Sequence, residues 1–334
     1  MISNNLDVIF ACLFKKGLCT NVVLIVLDFF CIKINDNNIH DAVLLYESNQ
    51  INAILKYGLI KYWKTNKITN MSKLFKNSNI NSNINLWDVS NVIDMSYMFN
   101  NAKSFNQPLN DWDVSNVQDM QFMFNGAKSF NQPLNNWNTS NVTDMSSMFC
   151  ETKSFNQPLD KWNVSNVVDM SSMFCDAELF NQPLNEWNTS NVQDMSYIFC
   201  GTKSFDQPLD NWNTSNATDM KFMFADTQLF NQSLESWNVS NVINMGHMFC
   251  GAQLFNQPLN NWNVSNVQHM NRMFYDAELF NHPLDKWNVS NVYNMRMMFY
   301  NAKSFNQSLN KWNISKRIYT DRIFNKQQTN FKFY

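Results

Sequence analysis

Apolar residues return along this chain with a fixed beat. With Leu109 as origin, core-type side chains follow at Trp112, Val114, Val117, Met120, Met123, Phe124, Ala127 and Phe130, and the series restarts at Leu134. The two-residue step from Trp112 to Val114 is strand-like, because alternate side chains of an extended chain share a face. From Val117 onward the steps are three and four, which predicts a short helix or 3₁₀ turns with Asp119 as N-cap. Each unit thus reads as a short strand, a turn, a helical turn and a return loop. One unit has no second layer of its own, so its apolar side chains are buried only if neighbouring units stack on it.

The period is 25 residues. Trp87, Trp112, Trp137, Trp162, Trp187, Trp212, Trp237, Trp262, Trp287 and Trp312 keep that spacing, Trp63 precedes them by 24, and all seven Pro stand in the column that begins at Pro108. Unbroken spacing means that equivalent residues of successive coils must stay in register. The expected fold class is an α/β repeat solenoid of about ten coils, with one short parallel strand plus a helical or 3₁₀ turn per coil. At a strand spacing of ~4.8 Å its sheet would be roughly 45 to 50 Å long. Residues 1–62 do not fit the repeat and read as a small helical N-terminal cap. Within them, Ile39 to Tyr57 forms one or two amphipathic helices that end on Gly58 as C-cap. The repeats run over 63–315. The pattern decays at Arg317 and Thr320, so 316–334 reads as a C-terminal cap or tail.

Composition narrows the options. With 25 Lys+Arg against 27 Asp+Glu, the net charge is −2. That balance lacks the surplus of basic residues that nucleic acid or an anionic membrane would demand. Seven Cys sit at 12, 19, 31, 150, 175, 200 and 250 without CxxC pairs or metal-ligand spacing. Cys150, Cys175 and Cys200 take equivalent places on successive coils, which predicts reduced thiols rather than a disulfide framework. MISNNLDVIF lacks a basic n-region, and the run from Val22 to Ile32 contains Asp28 and is too short to span a bilayer, so no membrane span is expected.

The stretch FNQPLNNWNTSNVTDMSSMF (130–149) resembles the BspA-like repeats of bacterial surface proteins and mycoplasma lipoproteins, a group within the wider leucine-rich-repeat class that also occurs in large DNA viruses. The likeness runs from about 63 to 325, and the lead-in AVLLYESNQINAILKYGLIKYW is similar to the helical segment that precedes the first repeat in such proteins. The resemblance implies a leucine-rich-repeat-like solenoid used for binding or adhesion, and no reaction. The chain differs from secreted members in lacking a signal peptide or lipobox Cys, which favours an intracellular location over the cell surface.

Several chemistries are weighed against packing. The Trp column suits a stacking ladder for bases or sugars, but Trp shares its periodicity with Val, Met and Phe, so core aromatics are the simpler account, and the Met columns read alike. Asn138, Asn163 and their equivalents open N-x-S acceptor sites beside Trp, and stacked Asn side chains bonded along the repeat account for them better. Ser90, Ser115, Asn91 and Asn116 read as turn residues. The recurring Asp94 to Asp219 suggests a calcium ladder, against which helix N-capping is favoured. His40, His247, His269 and His282 have no partner at catalytic spacing, and there is no GxGxxG or P-loop among the scattered Gly. No catalytic residue, metal ligand or cofactor site is assigned, and an enzyme is not expected.

What varies between copies marks a surface. The pairs after Asp-Met qualify: Ser96-Tyr97, Gln121-Phe122, Ser146-Ser147, Lys221-Phe222, Gly246-His247, Asn271-Arg272 and Arg296-Met297. In the last coils these columns turn basic and aromatic, and Arg272, Tyr275, Tyr293, Arg296 and Tyr300 are the candidate contacts for a protein partner, with His269 nearby. The alternative is drift on a solvated face. The expectation is a non-catalytic intracellular scaffold for protein-protein interaction; a surface adhesin or a structural component of a large virus particle are the alternatives.

Overall fold

A computed structural model describes residues 31–314 and 319–324. Cys12, Cys19, the chain start, all but the end of the Val22 to Ile32 run, Arg317 and the tail beyond 324 lie outside the described residues. The first helices among the described residues are α1 (Ile39–Ser48) and α2 (Gln50–Tyr57), followed by a 3₁₀ turn at Ile60–Tyr62. Asn49 caps α2 by accepting from the Asn52 N–H, and Gly58 closes it in a left-handed conformation, φ 82°. The cap meets the repeats through aromatic rings, since Tyr57 lies against Trp63 and Trp63 stacks on Trp87 at 5.9 Å. Asp36 adds a polar tie by accepting from the Thr69 and Asn70 backbone N–H groups and the Thr69 hydroxyl. Burial alone would raise its carboxyl, but these bonds outweigh burial and hold it below the ordinary range.

The strand and helix expected in each coil are not there. Among the described residues the repeats contain no helix and no strand. Successive copies meet at isolated parallel bridges, Asp94 to Asp119, Asp119 to Asp144 and onward to Asn294 and Tyr319. The α/β class is therefore replaced by a stack of tight turns, for a reason visible in one copy. Backbone N–H groups of Trp112, Val117, Met123, Asn125, Ala127 and Phe130 each donate to the carbonyl three residues back. These are separate β-turns, so the three-residue apolar step that suggests a helix is the spacing between the two ends of a turn. Phe122 at φ 55° and Gly126 at φ 69° are left-handed, as the third residue of a type II turn requires, and each one stops helical propagation. Asp119 therefore caps no helix. Its carboxylate accepts from the Gln121 N–H two residues on, forming an Asx turn.

Every second N–H points sideways instead. Met120, Phe122, Phe124 and Gly126 donate to the Asp144, Ser146, Met148 and Cys150 carbonyls of the next copy at 2.8 to 3.1 Å. Alternating turn bonds and lateral bonds satisfy this buried backbone without a regular sheet. The glycines are also less scattered than expected, because Gly126, Gly201 and Gly251 share this one left-handed column.

The inward ring of side chains matches the apolar pattern. Leu109, Val117, Met120, Met123, Phe124, Ala127 and Phe130 are fully buried, as are their equivalents in the middle copies. Rings stack along the axis: Phe124 lies 5.7 Å from Phe149, and Trp137 lies 6.2 Å from Trp162. Each indole from Trp112 to Trp312 donates to a carbonyl of the preceding copy, as Trp137 does to Leu109 at 2.9 Å. Where Thr replaces an apolar residue it stays satisfied, Thr139 donating to the Asn163 carbonyl and Thr152 to that of Phe124.

The Asn stack exists, but in other columns than predicted. Asn138 and Asn163 are exposed, and their side-chain oxygens accept locally from the Ser140 and Ser165 N–H groups. Two other Asn columns form ladders along the described copies. Asn116, Asn141, Asn166 and their successors each donate to a Ser carbonyl of the preceding copy. Asn131 accepts from both the Asn156 N–H and the Gln157 amide of the next copy, and this repeats down the stack. Asp206 substitutes there without loss, because the position uses only an acceptor oxygen.

Candidate functional site

The surface of interest lies on the face that carries the lateral bonds. There the chain alternates buried Met and Phe with residues that reach solvent in the columns of Asp119, Gln121, Phe122 and Asn125. Exceptions include Ser96, Ser146, Ser147, Ser196, Asn100 and Ala225, which are buried, and the following column is buried at Gly126 and Gly201. Lateral bonding brings each column into a row along the stack.

The first row is acidic for six copies, Asp94 to Asp219, and then becomes Asn244, His269, Asn294 and Tyr319. Each Asp accepts from the N–H two residues on, as Asp169 does from Ser171 at 2.8 Å. Burial, then the neighbouring charges of Asp169 and Asp119, lifts the Asp144 carboxyl above its ordinary value despite the Ser146 bonds. Among the described residues no three or more His, Cys, Asp or Glu are placed to hold a metal ion together, so the calcium-ladder reading gains nothing.

The Phe122 row carries aromatic stacks that sequence spacing alone did not show. Tyr97 lies on Phe122 at 4.7 Å, while Tyr197, Phe222 and His247 stack in series at 4.5 and 4.1 Å. The signal was present as Tyr, Phe and His recurring in one variable column. Burial, with the charge of Arg272 added, holds the His247 imidazole down to about 4. Arg272 thus continues the aromatic row.

Of the five predicted contacts, three meet directly. The Arg272 guanidinium lies over the Tyr275 ring at 5.5 Å, and Tyr275 stacks on Tyr300 at 5.4 Å with 8° between the rings. Tyr293 belongs to a neighbouring pair: its hydroxyl bonds His269 Nε2 at 2.5 Å, with the rings edge-on. Arg296 is exposed beside them, and its carbonyl accepts from the Arg272 N–H at 2.9 Å. The ion pairs elsewhere join Lys to acids, as Lys153 to Glu178 and Lys311 to Asp285. Among the described residues neither Arg272 nor Arg296 has an acidic partner. A second surface feature escaped sequence reasoning: Leu229, Leu254 and Leu279 form an exposed row on three consecutive copies.

Other polar candidates are structural. His282 bonds the Asn256 carbonyl, and Ser115 and its equivalents serve turns. No helix among the described residues is long and apolar enough to cross a membrane.

The family model described as a Mycoplasma protein of unknown function, DUF285, matches this chain in three overlapping stretches, 47–161, 132–237 and 223–332. Nothing among the curated proteins matches, and no solved structure does.

Proposed function

Because this chain belongs to the DUF285 repeat family of mycoplasma-type proteins of unknown function, we propose that it is a non-catalytic scaffold whose last copies dock another protein. The observation that carries this reading is the Arg272, Tyr275 and Tyr300 cluster, where a guanidinium with no acidic partner among the described residues lies over one of two stacked tyrosines, with Arg296 exposed on the next copy. Arg and Tyr are the side chains most enriched among interface anchors, and an unpaired guanidinium calls for a carboxylate. The partner is accordingly a protein segment bearing Asp or Glu beside an apolar side chain. A scaffold is favoured over an enzyme because the recurring Asn, Ser, Asp and Trp polar groups are taken up by turns and by bonds between copies.

An intracellular location is the reading supported by the cysteines, since Cys150, Cys175, Cys200 and Cys250 are free thiols. Protease-accessible protein on intact cells would favour the adhesin alternative, and stoichiometric presence in purified virus particles the structural one.

The test is quantitative capture from native lysate with the full chain, with Arg272→Ala/Tyr275→Ala/Tyr300→Ala, and with Tyr97→Ala/Phe122→Ala as a same-face control. Truncating such anchors costs at least about 2 kcal/mol, roughly 30-fold in affinity. The proposal expects the partner to be lost from the first variant alone, and equal recovery by all three chains would overturn it.

A further inference from the structure

The repeat places three thiols in a row. Cys150, Cys175 and Cys200 occupy the same column on consecutive copies, and the copies are bonded to one another at these residues: the Glu151 N–H donates to the Cys175 carbonyl and the Asp176 N–H to that of Cys200, both at 2.7 Å. All three are partly exposed and free of disulfides. The register sets Cys175 between Cys150 and Cys200 of the adjoining copies, and its thiol approaches Asp176 Oδ2 at 3.8 Å. The fourth member of the column is isolated, because Cys250 has Ala225 and Tyr275 on either side.

We infer that this thiol row is a binding site for a soft monovalent cation such as Cu(I), each ion held linearly between sulfurs of adjacent copies. Thiolates select soft ions. A metal–thiolate bond is about 2.3 Å, so a linear S–M–S unit spans about 4.6 Å, close to the ~4.8 Å rise between laterally bonded copies. Tetrahedral zinc needs four sulfurs converging on one point at about 3.8 Å from one another, which a straight row does not offer, in keeping with the lack of a three-ligand metal cluster among the described residues. Two ions fill the row, and its three thiol protons pass to the buffer. The Asp176 carboxylate, 3.8 Å from the Cys175 thiol, favours a cation there.

The experiment is anaerobic titration of the full reduced chain with Cu(I) against a chromophoric chelator, with X-ray absorption to count sulfur neighbours. Relative to wild type, Cys175→Ser is expected to take two equivalents fewer, Cys150→Ser and Cys200→Ser one fewer each, and Cys250→Ser none fewer. This graded series separates binding from misfolding, and circular dichroism checks that each variant keeps the wild-type signal. Unchanged uptake by Cys175→Ser, equal loss in Cys250→Ser, or retention of Zn(II) at the same stoichiometry as Cu(I) would overturn the assignment.

Discussion

Removing one ring from the middle of the stack measures how far each copy depends on its neighbours. Phe174 is fully buried and touches rings on three copies: Phe180 at 4.1 Å, Phe149 and Phe199 at 5.8 Å each, and Trp187 at 6.4 Å. A buried Phe→Ala change costs about 3 to 5 kcal/mol, the larger values arising where the surroundings cannot collapse. Collapse is resisted here, because the Phe174 N–H is tied to the Ile198 carbonyl and the Phe149 N–H to that of Met173, each at 2.9 Å. Phe174→Ala is therefore expected to cost about 4 to 5 kcal/mol. Met173→Leu keeps the volume of the adjacent fully buried residue and should cost less than about 1.5 kcal/mol. Urea unfolding followed by tryptophan fluorescence reads both, with Trp187 as the nearest reporter. Since coupling runs only between neighbours, the Phe174→Ala transition should also broaden or split. A cost below about 1.5 kcal/mol, or no greater than that of Met173→Leu, would refute a closed core shared between copies.

The Asn ladder gives a sharper chemical contrast. Asn156→Ala leaves the Asn181 N–H and the Gln182 amide without their acceptor and should cost about 1 to 2 kcal/mol, whereas Asn156→Asp, the choice already made at Asp206, should stay within about 0.5 kcal/mol by urea midpoint. His247 predicts a pH dependence. Its folded imidazole sits near about 4 against an ordinary 6.5, so between those values the unfolded chain binds a proton that the folded chain refuses. Stability is full above pH 6.5 and falls as the pH drops toward 4, by about 1 kcal/mol once solvent screening of the half-exposed ring is allowed for. His247→Phe should remove that part of the slope when midpoints at pH 7.5 and 5 are compared; identical slopes would contradict the assignment.

Much of this architecture is readable from residue spacing, because burial repeats with the chain. The Trp column fixes the 25-residue register, and the inward series from Leu109 to Phe130 is the one that is buried. Local backbone was misread at one physical point. A three-residue apolar step fits a helix and a β-turn equally well, and a left-handed Phe122 or Ser147 leaves no mark in composition. The Asn columns misled for a related reason: Asn138, Asn141 and Asn131 look alike in sequence, while one opens a turn, one reaches back to a Ser carbonyl and one bridges to the next copy. At the candidate site, the drift toward Arg and Tyr in the last copies was legible. The pairing of Arg272 with Tyr275, the separate bond from Tyr293 to His269 and the stack from Tyr197 to His247 depend on side chains meeting across copies, which spacing alone does not report.

Docking on the last copies is tested most directly by site-specific photo-crosslinking in native lysate, with a benzoyl-phenylalanine placed at Tyr300, at Tyr275 and, for contrast, at Tyr97 on the same face. The account predicts that the positions at Tyr275 and Tyr300 capture the same protein through a segment containing Asp or Glu, and that Tyr97 does not. Capture of that protein from Tyr97 with none from Tyr275 or Tyr300 would contradict it.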